Sequence, residues 1–362
     1  MNRSGPKPLP FQLSMASLAA AGMAGGTRFS EETLQKFFKG IQKYQGHPFR
    51  RNMPELPAVW SAGEARLLRA GTGGARHKTP IVLIPSMVNK SDILDLLQER
   101  SLLRWLAGQG FDAYLFDWGQ AAHDEGQQDA NIAMTERLIP ALESLGGPVL
   151  LLGYCMGGLF AAAASTLRPD LVQGCVMLAT PWNFHDEKAA LKNRLTLMRP
   201  TALPYMKQYN RLPESWMQAV FATLDPEGSI RKFSAFADMA EGDKREEIFM
   251  AVEDWLNEGL DLPAGIAMMC MEEWYEQNLP YKGEWEVCGK PIRAGDIKVP
   301  TLVVAAKEDK IVPLDSALAF ADQRVKGERV VVSTGHVGLI AGGKAIKDVW
   351  TPIAEWFALQ QT

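Results

Sequence analysis

The stretch LLLGYCMGGLFAAAAS, Leu150 to Ser165, runs from an apolar segment through a glycine-flanked cysteine into an alanine-rich segment. It reads as a strand ending at Gly153, a tight turn carrying Cys155, and a helix starting at Gly157. Its centre, Gly153-Tyr154-Cys155-Met156-Gly157, is the pattern G-x-S-x-G with cysteine in place of serine. Such a turn holds a nucleophile in a strained backbone conformation, and glycines are needed where strand and helix nearly touch. The helix N-terminus behind the sulfur favours a thiolate. The first backbone N–H groups of that helix face the place where an oxyanion would develop.

The surrounding pattern agrees. Pro80 to Pro85 encloses a short apolar run, Asp112 to Trp118 is a second strand, Pro148 to Gly153 a third, and Val172 to Ala179 a fourth. Helices are expected between them, around Leu102 to Gly110, over Ala130 to Leu145, and over Leu159 to Leu167. This alternation predicts an α/β fold, a mostly parallel sheet with helices on both faces. It stops at Pro181 and resumes with strands Thr301 to Ala306 and Glu328 to Ser333, then a helix over Ala345 to Leu359. The interval from Trp182 to Lys290 reads as helical or irregular, with no clear strand. It holds five of the ten tryptophans and eight of the sixteen methionines in under a third of the chain. The expected organisation is an N-terminal tail and helix over residues 1–55, a core over 56–181 and 291–362, and an inserted cap over 182–290. Within the first part, Ser30 caps a helix to Tyr44, with Glu31 and Glu32 in its first turn. Phe11 to Ala24 reads as a loose tail ending at Gly25-Gly26. Gln12, Ser14 and Ser17 interrupt it too often for a secretory signal.

A nucleophile on such an elbow needs an acid after a late strand and a histidine after the last one. Asp309 follows Thr301–Ala306 in AAKEDKIVP, and His336 follows the last strand in STGHVGL. The order Cys155, Asp309, His336 is that of the α/β-hydrolase fold, and the long first interval is what an inserted cap produces. His123 and His185 also fall on the carboxyl edge of the sheet and read as solvated loop residues. Cys175 and Cys270 read as small buried residues. Cys288 has no evident role.

Composition narrows the function. The 362 residues suggest two domains, or one large domain with an insertion. Thirty-eight basic against 42 acidic residues give −4, which offers no basic footprint for nucleic acid. No apolar run is long enough to span a membrane. Four scattered cysteines and five histidines argue against a disulfide framework and a metal centre. A cytoplasmic enzyme without metal or cofactor is the expectation.

The motifs resemble those of the polyhydroxyalkanoate synthases, especially the short form that works with a second, non-catalytic subunit. The resemblance runs over roughly residues 80–360. It is carried by GYCMGG (Gly153 to Gly158), MVNKSDILDL (Met87 to Leu96), YLFDWG (Tyr114 to Gly119), LATPWNFH (Leu178 to His185), KEDKIVP and GHVGLIAGGKA (Gly335 to Ala345). Leu159 stands where the family commonly has a small hydroxyl residue. The resemblance implies polymerisation of (R)-3-hydroxyacyl-CoA, with coenzyme A thioester as substrate, through an acyl-Cys155. His336 would be the base. Asp309 would orient it or act with it on the 3-hydroxyl. Backbone N–H groups of Met156 and Val88 would bind the oxyanion. The partners implied are a growing polyester, a second synthase subunit, further copies of the chain, and a polyester granule surface. The other readings are a cysteine thioesterase or polyester depolymerase of the same fold, and a non-catalytic granule-binding subunit.

Overall fold

The computed structural model describes residues 3–22, 29–71, 74–120, 128–185 and 190–361. His123 and the Gly25-Gly26 pair lie outside the described residues. Eight strands form the main sheet: β1 (Ala58–Ala62), β2 (Ala65–Ala70), β3 (Ile81–Ile84), β4 (Ala113–Asp117), β5 (Val149–Tyr154), β6 (Val172–Leu178), β7 (Thr301–Ala306) and β8 (Glu328–Val332). Their order is β1-β2-β4-β3-β5-β6-β7-β8. β2 pairs antiparallel with β1 and β4, and the other neighbours are parallel. The sheet is therefore mostly parallel, as the alternating pattern predicts. The β1–β2 hairpin is the part that the pattern does not announce. β1 is short and largely exposed, and β2 is broken by Arg66 and Arg69, so neither reads as a buried apolar run.

Both faces of the sheet are covered. Val82, Ile84, Val149 and Leu151 point to the face packed by the helix Gly157–Leu167. Ile81, Leu83, Leu150 and Leu152 point to the face packed by Leu102–Gly108 and Thr351–Leu359. The two-residue period of a strand distributes one apolar run to two cores.

Between β6 and β7 the chain leaves the sheet and builds the helices Ala190–Tyr209, Glu214–Ala222, Gly228–Ala237, Lys244–Asn257 and Ala264–Met269, the last running on through Cys270–Glu276. Contrary to the sequence expectation, this interval contains strand pairing. Arg211–Leu212 pairs with Leu262–Pro263, and Glu286–Val287 pairs with Lys290–Pro291. Two residues per strand are too few to show an alternating pattern.

The N-terminal region is not a loose tail. Leu9–Ala20 is a helix that buries Ala16 and Ala19, and Glu31–Gly46 is a second helix, capped by Ser30 Oγ accepting the Thr33 N–H. Phe37, Ile41 and Tyr44 pack against Ile230, Phe233 and Phe236 of the inserted helices. A Cβ at Gly40 would lie 2.0 Å from the Phe233 carbonyl oxygen, so glycine permits this close crossing. Arg3 adds a fork to Asp254 and donates to the carbonyls of His47 and Phe49. Leu9–Ala20 is small or apolar nearly all round, so no helical stripe marks its buried side.

A close backbone approach in the core is at Gly157. A Cβ there would meet the Ile84 carbonyl oxygen at 2.1 Å and that of Pro85 at 2.7 Å. Both obstacles are backbone, which no rotamer change relieves. Gly157→Ala is expected to cost about 1–3 kcal/mol through overpacking, read as a lowered urea midpoint. An unchanged midpoint would contradict this packing.

Candidate active site

β5 ends at Tyr154, and the turn to the helix Gly157–Leu167 puts Cys155 at φ +54°. A non-glycine residue there is strained, and the surroundings must hold it. The Cys155 N–H donates to the Leu178 carbonyl at 2.9 Å, and its carbonyl accepts the Gly158 N–H at 3.0 Å. A Cβ at Gly153 would fall 2.3 Å from the Gly158 Cα. The two glycines let strand and helix close on each other, leaving the cysteine half-buried at the apex.

Asp309 lies in the turn after β7. Its Oδ1 accepts the N–H groups of Ile311 and Val312 at 2.8 and 2.9 Å. Its Oδ2 lies 2.7 Å from His336 Nδ1. His336 follows β8 and lies near enough to Cys155 for the sulfur to act on the ring. The three side chains expected from the sequence are thus brought together, with the acid and the imidazole both buried. Burial disfavours a charge on His336. The negative charges of Asp309 and Cys155 outweigh it and push the imidazole up to about 10. Tyr154 packs its ring 5.1 Å from that of His336, and burial holds its phenol well above the usual range.

Met156 immediately precedes the helix, where backbone N–H groups lack intrahelical acceptors. Val88 lies in the loop after β3, but its N–H already donates to Ser86 Oγ at 3.2 Å. The N–H expected to face an oxyanion is therefore engaged within its own loop.

Two cavities meet at the thiol. One lies between the elbow and the inserted helices and is walled by apolar side chains such as Trp216, Met217, Met271 and Trp274. The other is also mainly apolar but carries His336, Asn89, Lys90 and Gln218. Ser86, Val88, Cys155, Phe221 and Ile311 border both. The Met- and Trp-rich composition of the insertion divides accordingly. Some of these residues wall the chamber, while Trp285 and Met250 are buried in its packing.

Several site residues escape a reading by motif. Trp118 donates its indole N–H to the Pro85 carbonyl at 2.9 Å and so pins the loop carrying Ser86 and Val88. Asn89 donates to the Trp255 carbonyl at 3.2 Å, and the Leu260 N–H donates to the Val88 carbonyl at 3.0 Å, tying that loop to the insertion. The D-W-G and V-N-K segments were the available signal. Cys270 is buried as expected, yet it also borders the apolar chamber. Cys175 is buried in β6. Cys288 is exposed at the turn between Glu286–Val287 and Lys290–Pro291, with φ +52°. His185 lies exposed, its Nε2 2.8 Å from the Tyr275 carbonyl. Among the described residues, no group of three or more His, Cys, Asp or Glu could hold a metal ion, and no helix is long and apolar enough to cross a membrane.

Comparison with known proteins agrees with this fold. The chain is 26% identical to the poly(3-hydroxyalkanoate) polymerase subunit PhaC of Haloferax mediterranei over 83% of its own length, and spans 63% of that relative. It is 25% identical to the subunit of the same name from Synechocystis sp., over 97% of each chain. The chain thus spans less than two thirds of the haloarchaeal relative but nearly all of the cyanobacterial one. A thermophilic esterase from Thermogutta terrifontis shares the fold at a TM-score of 0.51 and 19% identity, covering 86% of this chain and all of the esterase. The family model described as alpha/beta hydrolase fold matches residues 79–342, which reach from just before β3 past His336. The chain belongs to the α/β-hydrolase fold family.

Proposed function

We propose that this protein transfers 3-hydroxyacyl groups from coenzyme A to Cys155 and then to the hydroxyl end of a growing polyester. The observation that carries this reading is the Asp309–His336 hydrogen bond, with Cys155 near the ring and opening into an apolar chamber. The relatives named as poly(3-hydroxyalkanoate) polymerase subunits support it.

His336, backed by the Asp309 carboxylate, takes the proton of Cys155. The sulfur attacks the thioester carbonyl, and the carbonyl electron pair moves onto oxygen. The Met156 N–H and a donor from the Ser86–Asn89 loop meet that oxyanion. Collapse expels the coenzyme A thiolate, which takes the proton from His336. His336 then removes the proton of an incoming 3-hydroxyl, which attacks the acyl-cysteine; the C–S bond breaks, an ester forms, and the Cys155 sulfur leaves with its electron pair and regains the proton from His336. Both oxygens of Asp309 are already occupied, which supports the orienting role over direct contact with the 3-hydroxyl. The apolar walls favour a hydroxyl acceptor over water, and hence polymer over free acid. The word "subunit" in the relatives' names supports a second synthase subunit as partner. Further copies of this chain and a granule surface complete the proposed setting.

Three outcomes follow. Cys155→Ala should abolish coenzyme A release from 3-hydroxybutyryl-CoA by the purified protein, assayed with and without a second synthase subunit. Wild type should leave polymer, and accumulation of free 3-hydroxybutyrate instead would make the protein a thioesterase.

Lys90 borders the second cavity and is paired to Glu258 at 2.6 Å in an exposed bridge, which costs little to break. Among the described residues lining that cavity, it is the cation that would meet the coenzyme A phosphates. Lys90→Ala should raise KM for the acyl-CoA several-fold and leave the rate with an uncharged ester nearly unchanged. Equal loss with both substrates would discard this role.

The His336 ring should titrate by NMR with a midpoint well above 6.5, and Asp309→Asn should bring it down. Its protonation stabilises the fold fully below about 6.5, the ordinary value. That contribution is lost as pH rises through about 10. A wild-type midpoint near 6.5 would rule out the proton placement above.

A further inference from the structure

Ser86 stands at the junction of the two cavities, beside the half-buried Cys155. Its Oγ accepts the Val88 N–H at 3.2 Å. A hydroxyl that accepts one hydrogen bond keeps its own proton to donate. Among the described residues, that proton has no acceptor in the protein. The backbone carrying it is rigid. The Ile84 and Pro85 carbonyls press on Gly157 at the start of the elbow helix, and Trp118 holds the Pro85 carbonyl from the other side.

We propose that Ser86 is a catalytic residue whose hydroxyl donates to the oxyanion formed at Cys155 while accepting the Val88 N–H. The proposal rests on acyl transfer by Cys155. As the S–C bond forms, the carbonyl electron pair moves onto oxygen, and the Ser86 O–H and the Met156 N–H bind that charge. Ser86 gives a hydrogen bond and keeps its proton. When the intermediate collapses, the carbonyl re-forms and the leaving group departs with its electron pair. The Val88 N–H acts one step behind, polarising the hydroxyl through the chain N–H to O–H to oxyanion. The sequence-based assignment of Val88 is thereby moved to its neighbour two residues upstream.

The test uses the full chain and p-nitrophenyl acetate, whose acetyl group passes through the same oxyanion and releases p-nitrophenol in a burst as Cys155 is acylated. Alkylation of Cys155 by iodoacetamide is the control, because displacement at saturated carbon forms no oxyanion. Ser86→Ala should slow acylation by about 10²-fold, the usual effect of losing one oxyanion donor, with alkylation unchanged. Ser86→Thr keeps the hydroxyl and should recover most of the rate. Acylation by the alanine variant at the wild-type rate or faster would overturn the proposal, since a freed Val88 N–H would then suffice. Equal slowing of the alanine and threonine variants would also overturn it, by making the role one of packing. The ester probe reads Ser86 whether or not 3-hydroxyacyl-CoA is turned over, so this proposal and the synthase reading fail separately.

Discussion

The position of one sulfur atom depends on backbone approaching backbone. Cys155 is held at φ +54° because Gly153 lets β5 close on Gly158, and Gly157 lets the helix close on the carbonyls of Ile84 and Pro85. These contacts fix β3, β5 and the helix Gly157–Leu167 relative to one another. The loop after β3 starts from the same two carbonyls. Trp118, at the end of β4, donates to one of them. Nucleophile, loop and third strand end therefore form one rigid unit. The strain at Cys155 is offset by packing that would survive intact only with glycine at these positions.

The second constraint is electrostatic. A buried carboxylate is costly unless its oxygens are satisfied. Asp309 meets that requirement with two backbone N–H groups from its own turn and the ring of His336. The turn, rather than a remote partner, fixes the carboxylate, and the carboxylate fixes the imidazole. His336 is then left with one nitrogen for Cys155. A site arranged in this way needs only the correct spacing of β7 and β8, which run parallel and in register from Leu302–Glu328 to Ala306–Val332.

That dependence on strand ends explains what was legible in the sequence. β3 to β7 are short apolar runs buried on both faces, and such runs stand out. Asp309 could be found because it directly follows such a strand, and His336 because it follows β8, whose valine run stands out although the strand is largely exposed. The β1–β2 hairpin could not, since β1 is an exposed edge strand and β2 is broken by arginines. The N-terminal helices were legible as local elements only in part. Ser30 and its acidic first turn announce Glu31–Gly46, but nothing local says that this helix packs on Gly228–Ala237, some 200 residues on. Ser86 was missed for a different reason. It is an ordinary serine in an ordinary loop, and only the hydrogen bond from Val88 and the cavity at its side give it meaning. Cys270 is similar: apolar neighbours mark it as buried, while its place on the chamber wall is a property of the assembled fold.

The enclosure also bears on the choice of sulfur over oxygen. The inserted helices are tied to the elbow side through Asn89, Trp255 and Leu260, and on their other flank to the N-terminal helices. The chamber they cover has few polar groups with which to hold water. In such a place an acyl group waits for whichever nucleophile arrives. A serine would hold it as an oxygen ester, which is close in energy to any ester formed from it. A cysteine would hold it as a thioester, so the free energy of an activated acyl group would be kept until an alcohol attacks. A thiol on a serine-type elbow, under a dry cover, suits transfer to a hydroxyl better than hydrolysis, and the two features reinforce each other only when both are present.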